Sequence, residues 1–353
     1  MNIYLFLIVI PYLVYLLPFF NSLKNNNYFN FFLLFLFLFV SFRYYVGPDW
    51  YVSKSVFKNL ISNDFIYLFY NREFVANLIS FISHFLGLNM YGSYFIFACP
   101  IFISFYIFCR IYENKLANLI FALPFYLLFI PINSPRQSFA IGILLLTILL
   151  ASRDKKMILF LLFLNLLAIF VHNSYIFIIP LSLFLIFYEN LDKSLVINLP
   201  IKFIFIAVIV SSILSVVYFL PHIYFYFSVH YLEVKYFSPA YYYRLFYFVI
   251  IGIISLFLFD KYNFKEKILF FYFIFLLLLS SLLSLLSSTV ADRIQFYIYV
   301  YSLFSFFNII KLNNYVFTNC MIVFNLFYFY VWTLISSSFS LWFPYQNLLI
   351  KLL

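Results

Sequence analysis

Charge is what this chain most lacks: Asp, Glu, Lys and Arg together make up 9% of its 353 residues. Soluble domains carry about 25%. Glycine is scarce as well, with five in all, which leaves few places for helices to break or to slide closely past one another. Three cysteines are present, Cys99, Cys109 and Cys320, all in apolar runs and without metal-ligand spacing. They read as small core residues, and neither a metal site nor a cofactor is expected. Acidic residues number 11 against 21 basic ones, a net charge of +10. No basic face with interleaved polar residues exists to carry nucleic acid, so the excess is better explained by membrane topology.

What fills the space is apolar: 67% hydrophobic residues, 26% aromatic ones and a mean hydropathy of +1.07. That describes an all-α polytopic integral membrane protein, since the apolar runs are continuous rather than alternating as in a barrel. Runs fall at 2–20, 28–42, 73–88, 91–109, 116–132, 137–151, 157–171, 174–188, 201–219, 244–259, 268–287, 295–310 and 315–338. At about 20 residues per span, roughly twelve crossings fit, in a single membrane domain over residues 1–353. The first run, Asn2 to Phe20, lacks a basic leader and a small-residue cleavage site and reads as a retained helix.

The polar joints sort by charge. "RDKK" (153–156), "ENLDKS" with Lys193, "DKYNFKEK" (260–267) and Lys311 recur at every second joint, which marks them as cytoplasmic. The joints at 133–137, 171–174 and 288–293, and a longer loop over 220–243, are then external, as is "RYYVGPDWY" from Arg43. Residues 50–90 make no net crossing and are expected as an external interfacial helix followed by a short re-entrant or surface-lying segment.

Against the topological bias, five of the seven arginines (Arg43, Arg72, Arg136, Arg244 and Arg293) fall on the external side. The planar guanidinium fork suits bidentate binding of phosphate or carboxylate, although arginines also snorkel at helix ends. In "RYYVGPDW" the Gly47-Pro48 turn can bring Arg43 and Asp49 together, either to staple a loop or to orient a guanidinium. In "NSPRQSFAIGI" Pro135 starts a helix with Arg136 and Gln137 in its first turn, where an anion would meet free N–H groups as well as Arg136. His172 ends one helix and Ser174 begins the next. Asp292 and Arg293 open a later helix, as an ion pair or as anion ligands. The aromatics of 220–243 could offer stacking faces or form an interfacial belt.

At these residues the chain resembles the EpsG family, which belongs with the Wzy-type polymerases of surface polysaccharides. The matching positions are Arg43, Gly47 and Asp49, then Glu73 in "REFVANL", Arg136 and Gln137 with Ala140, and His172 with Ser174. Two departures stand out: Tyr51 is only two positions after Asp49, and Pro48 replaces a small polar residue.

The resemblance implies a glycosyltransferase of the bacterial inner membrane, facing the periplasm or exterior. It would join O-antigen, capsule or exopolysaccharide repeat units carried on undecaprenyl diphosphate. Asp49, Glu73 and His172 are the candidate catalytic groups, and Arg43, Arg136, Gln137, Arg244, Asp292 and Arg293 the candidate substrate-binding ones. Lipid-linked oligosaccharide and membrane lipid are the expected partners, and a chain-length regulator protein is a candidate. The rivals are a flippase for the same lipid-linked units, a membrane O-acyltransferase and a glycan ligase. Nearly charge-free long spans and the absence of repeats count against a flippase.

Overall fold

The structure is a computed structural model that describes residues 3–16, 26–62, 73–112, 114–151, 157–190, 239–285, 287–335, 341–342 and 345–347. Among these residues the regular elements are helices, and an isolated antiparallel bridge joins Arg43 to Asn347. In order they are α1 (Ile3–Leu16), α2 (Asn26–Ser41), α3 (Asp49–Ser62), α4 (Phe74–Phe85), α5 (Asn89–Ile111), α6 (Lys115–Asn133), α7 (Pro135–Leu150) and α8 (Ile158–Val171). Then follow α9 (Ile179–Asn190), α10 (Pro239–Leu258), α11 (Phe264–Ser284), α12 (Ser288–Ile310) and α13 (Tyr315–Ile335). Helix is the conformation that long apolar runs adopt in lipid, because it satisfies each backbone group within the segment.

The polar joints supply the caps. Asn263 and Glu266 exchange side-chain and backbone bonds at the start of α11, each 2.9 Å long. Asn114 accepts from Ala117 N at the start of α6.

Among the described residues, five stretches are long and apolar enough to cross a membrane: Asn89–Ile111, Lys115–Asn133, Tyr241–Lys261, Phe264–Ser284 and Tyr315–Leu334. Five shorter apolar helices accompany them. The expectation of about twelve spans is thus supported only in its coarser form, an all-α protein with several membrane-capable helices. The run 201–219 and the joints at 153–156 and 193 lie outside the described residues, as do Lys24 and Arg72. Helix α4, with 12 residues, is about 18 Å long, too short to cross about 30 Å of hydrocarbon upright.

Two boundaries need correction. Residues 239–243, read from the sequence as the end of the 220–243 loop, form the first turn of α10, and 220–238 lie outside the described residues. Pro239 occupies the first helical position, where its missing N–H costs nothing. Residues 288–293, read as a joint, are the first turns of α12.

The described residues divide into two compact units. The first comprises Met1–Leu146, Leu167–Asn173 and Ile309–Leu353. At its centre lies α6, buried from Leu116 to Asn133. Pro124 and Pro131 deprive α6 of two donors, and over Leu123–Phe129 it widens into a π-helix. Asn325 of α13 donates to the Phe121 carbonyl at the edge of that widened stretch, at 2.6 Å. Trp342 packs against Trp332 and donates to Asn133 Oδ1 at 3.1 Å.

The α2–α3 turn is stitched to the C-terminal segment. Tyr44 N donates to Gln346 O at 2.8 Å and Gly47 N to Leu341 O at 2.9 Å. Gly47 has φ +90°, and a Cβ there would lie 2.5 Å from the Ile132 carbonyl oxygen, so only glycine fits.

The second unit comprises Thr147–Leu166 and Ser174–Asn308. A buried polar network ties its helices together. Asn165 Nδ2 donates to Thr147 Oγ1 at 2.9 Å, Tyr175 donates to Asn165 Oδ1 at 2.5 Å, and Ser255 meets Ser305 at 2.8 Å. With each group satisfied, such contacts fix helix register in a core that is otherwise uniformly greasy.

Candidate functional site

Glu73 precedes α4 at its N-cap, but its side chain does not cap that helix. It turns instead to two residues distant in sequence. One carboxylate oxygen accepts from Arg136 Nη1, and the other lies 2.8 Å from His172 Nδ1. Local chemistry positions each partner. Pro135 presets the first turn of α7 and so fixes Arg136 in its second position. His172 N still bonds Ala168 O at 2.9 Å, so the ring hangs from the last turn of α8.

The trio is largely dry: the side chains of Glu73 and His172 are 13% and 9% exposed, while Arg136 retains 30%. Charge-assisted bonds strengthen where water is excluded. An ionised carboxylate only accepts, so beside Glu73 the donor is His172 Nδ1–H, and Nε2 is then the basic nitrogen. This is the arrangement that orients a general base, with a cation alongside. It also alters the expectation for Arg136, because the anion it meets at the helix start is the protein's own Glu73. Gln137 follows Arg136 in the same turn and is buried.

Arg43 is not presented to solvent. Its side chain is buried, Nε donates to Val46 O at 3.2 Å and Nη1 to Val40 O at 3.0 Å. Its guanidinium also lies over the Tyr94 ring, 4.2 Å from the centroid. Burial pushes its pKa down from the ordinary value, opposed by Tyr94 and then by Asp49, which opens α3. The hydrogen bonds of Arg43 thus go to carbonyls of its own turn, with Asp49 acting on it electrostatically.

In the second unit, Arg244 Nη2 pairs with Asp292 Oδ1, and the guanidinium lies 5.1 Å from the Phe296 ring centroid. Sequence order drew attention to Asp292 with its neighbour Arg293, whereas the observed partner comes from α10. Arg293, one position on, is half-buried. Arg244 is 2% exposed and Asp292 15%, so the pair joins α10 to α12 in a largely buried setting. Asp292→Ala is expected to lower stability by about 3 kcal/mol by stranding a buried guanidinium. In thermal unfolding, Arg244→Ala/Asp292→Ala should be less destabilised than the sum of the single variants, and strict additivity would refute the tie.

Sequence reading missed the surroundings of Glu73. Asn77, Ser80 and His84 follow it at i+4, i+7 and i+11, a polar stripe along one face of an apolar helix. That periodicity was available in "EFVANLISFISH". Asn77 and Ser80 of the stripe help to line a cavity of about 30 Å³, together with Ser53, Ser93, Tyr94 and Arg136. No group of His, Cys, Asp and Glu suited to a metal ion occurs among the described residues.

No curated protein and no solved structure matches the chain. Residues 26–347 match the EpsG family. That range takes in the Arg43–Asp49 turn, Glu73, Arg136 and His172, and with nearly the whole chain matched, the protein belongs to the EpsG family, which is associated with Wzy-type polymerases.

Proposed function

We propose that this chain polymerises repeat units of a bacterial surface polysaccharide at the external leaflet of the cytoplasmic membrane. It transfers an undecaprenyl-diphosphate-linked glycan onto a hydroxyl of another lipid-linked unit. The observation that carries this reading is the convergence of Glu73, Arg136 and His172, joined to family membership. The bond that forms is acceptor oxygen to the anomeric carbon, and the bond that breaks is anomeric carbon to diphosphate oxygen. His172 Nε2 takes the acceptor proton, Glu73 holds the ring, and the undecaprenyl diphosphate leaves with its electron pair. Arg136, whose Nη1 meets Glu73, offers the rest of its fork to the developing charge. Asp49, at the start of α3 beside the buried Arg43, acts through the turn and not on the substrate.

The test is deletion of the gene followed by gel analysis of surface polysaccharide. Collapse of the ladder to one repeat unit is expected. Loss of all repeats would identify a flippase, and an unchanged ladder with altered acetylation an acyltransferase. Sidedness is checked by labelling in a Cys320→Ser background: Ser134→Cys and Asn173→Cys should react from outside, Lys261→Cys and Lys311→Cys only after permeabilisation. The reverse pattern would refute an external site.

A further inference from the structure

The cavity beside Glu73 is built from α3, α4, α5 and the start of α7, all within the first unit. Two of its wall groups have no hydrogen-bond partner among the described residues: Asn77 Nδ2, on a residue 3% exposed, and Ser93 Oγ, on a residue 4% exposed. A buried donor left unmatched costs stability unless a ligand or water meets it. Both line the same space as the Tyr94 and Phe97 rings and the Arg136 guanidinium. Arg43 lies over the Tyr94 ring, 4.2 Å from its centroid.

The geometry points to a subsite for a neutral sugar substituent, a hydroxyl-bearing or acetamido group of the lipid-linked repeat unit. This assignment rests on the polymerase reading above. Charge selects a neutral ligand. The unmatched wall groups, Asn77 Nδ2 and Ser93 Oγ, are both neutral. A lipid tail would leave the amide and hydroxyl of the walls unmatched. A sugar hydroxyl both donates and accepts, as a wall of amide and hydroxyl groups requires.

Position fits as well. Asn77 lies one turn beyond Glu73 on the same helix face, about 6 Å along the axis. A sugar anchored at Asn77 and Ser93 therefore lies beside the Glu73–His172 pair. The subsite would select which repeat unit is accepted and at which hydroxyl it is extended.

The substrate for the test is the lipid-linked repeat unit that accumulates in cells deleted for this chain. The full-length protein in lipid nanodiscs is assayed for elongation of those units. In Asn77→Leu and Ser93→Ala, KM should rise about tenfold, the loss expected for one hydrogen bond, with kcat little changed. Thermal stability should hold or rise, because each change removes an unmatched buried polar group. Should Asn77→Leu fail to fold, Asn77→Ala carries the same expectation. Wild-type KM in the folded variants would overturn the subsite and leave the cavity as a seat for structural water. Failure of the unmutated chain to elongate the units would instead overturn the polymerase reading.

Discussion

Glu73→Gln is expected to abolish polymer at normal protein level. The change keeps the shape of the side chain but removes the charge that Arg136 and His172 share. A glutamine can present its NH₂ to His172 Nδ1, which then accepts, so that Nε2 carries the proton and can no longer take one. Loss of a carboxylate that fixes a catalytic histidine's tautomer costs on the order of 10⁴-fold in kcat. A merely structural role would lower folding stability and leave the turnover of surviving protein intact. Chemical rescue separates the two further: in His172→Ala, added imidazole should restore part of the turnover, but in Glu73→Gln it should not. Wild-type ladders from Glu73→Gln would sink the proposed site.

The parts of this site that were legible in the sequence are those encoded by neighbours. Pro135 announces a helix start, and Arg136 with Gln137 falls in its first turn, as the structure has it. The Gly47-Pro48 pair announces a turn, and the positive φ of Gly47 supplies it. What could not be read is what the chain folds together from afar. Glu73 is separated from Arg136 by 63 positions and from His172 by 99, and no local pattern encodes those meetings. Arg43 reads as lying at the external surface; its actual partners are the carbonyls of Val40 and Val46, in a turn closed by Leu341, Gln346 and Asn347.

Polarity also misled where it stood inside helices. Residues 288–293 resemble a joint; Asp292 and Arg293 do fall in the opening turns of a helix, as read, but α12 starts already at Ser288, and Asp292 pairs with Arg244. Apolar patterning located the helices because lipid demands it, while Tyr241 and its neighbours seemed loop-like only for want of a long aliphatic run. Pro239 was the start signal to follow. Burial of polar groups obeys pairing, which single-sequence reasoning recovers only where a periodic stripe such as Glu73, Asn77, Ser80 and His84 betrays it.

Arg136→Lys should fail nearly as badly as Arg136→Ala, with turnover reduced about a hundredfold or more. Lysine preserves the charge and can still meet Glu73, so a requirement for charge alone, or for the ion pair alone, predicts near-normal polymer. The proposed role asks for two things at once: Nη1 on the Glu73 carboxylate and the remaining guanidinium edge on a phosphate oxygen. An ammonium is a compact point charge and cannot hold both in one plane. Its partial exposure, 30% against 13% for Glu73, is what leaves that edge reachable by a lipid-borne diphosphate. Combination with Glu73→Gln sharpens the test. If the two residues act as a unit, the double variant should be little worse than Glu73→Gln alone, since residues of one catalytic assembly are strongly non-additive. Multiplying losses would mean that Arg136 and Glu73 serve separate steps, and a normal ladder from Arg136→Lys would reduce Arg136 to a tether for Glu73.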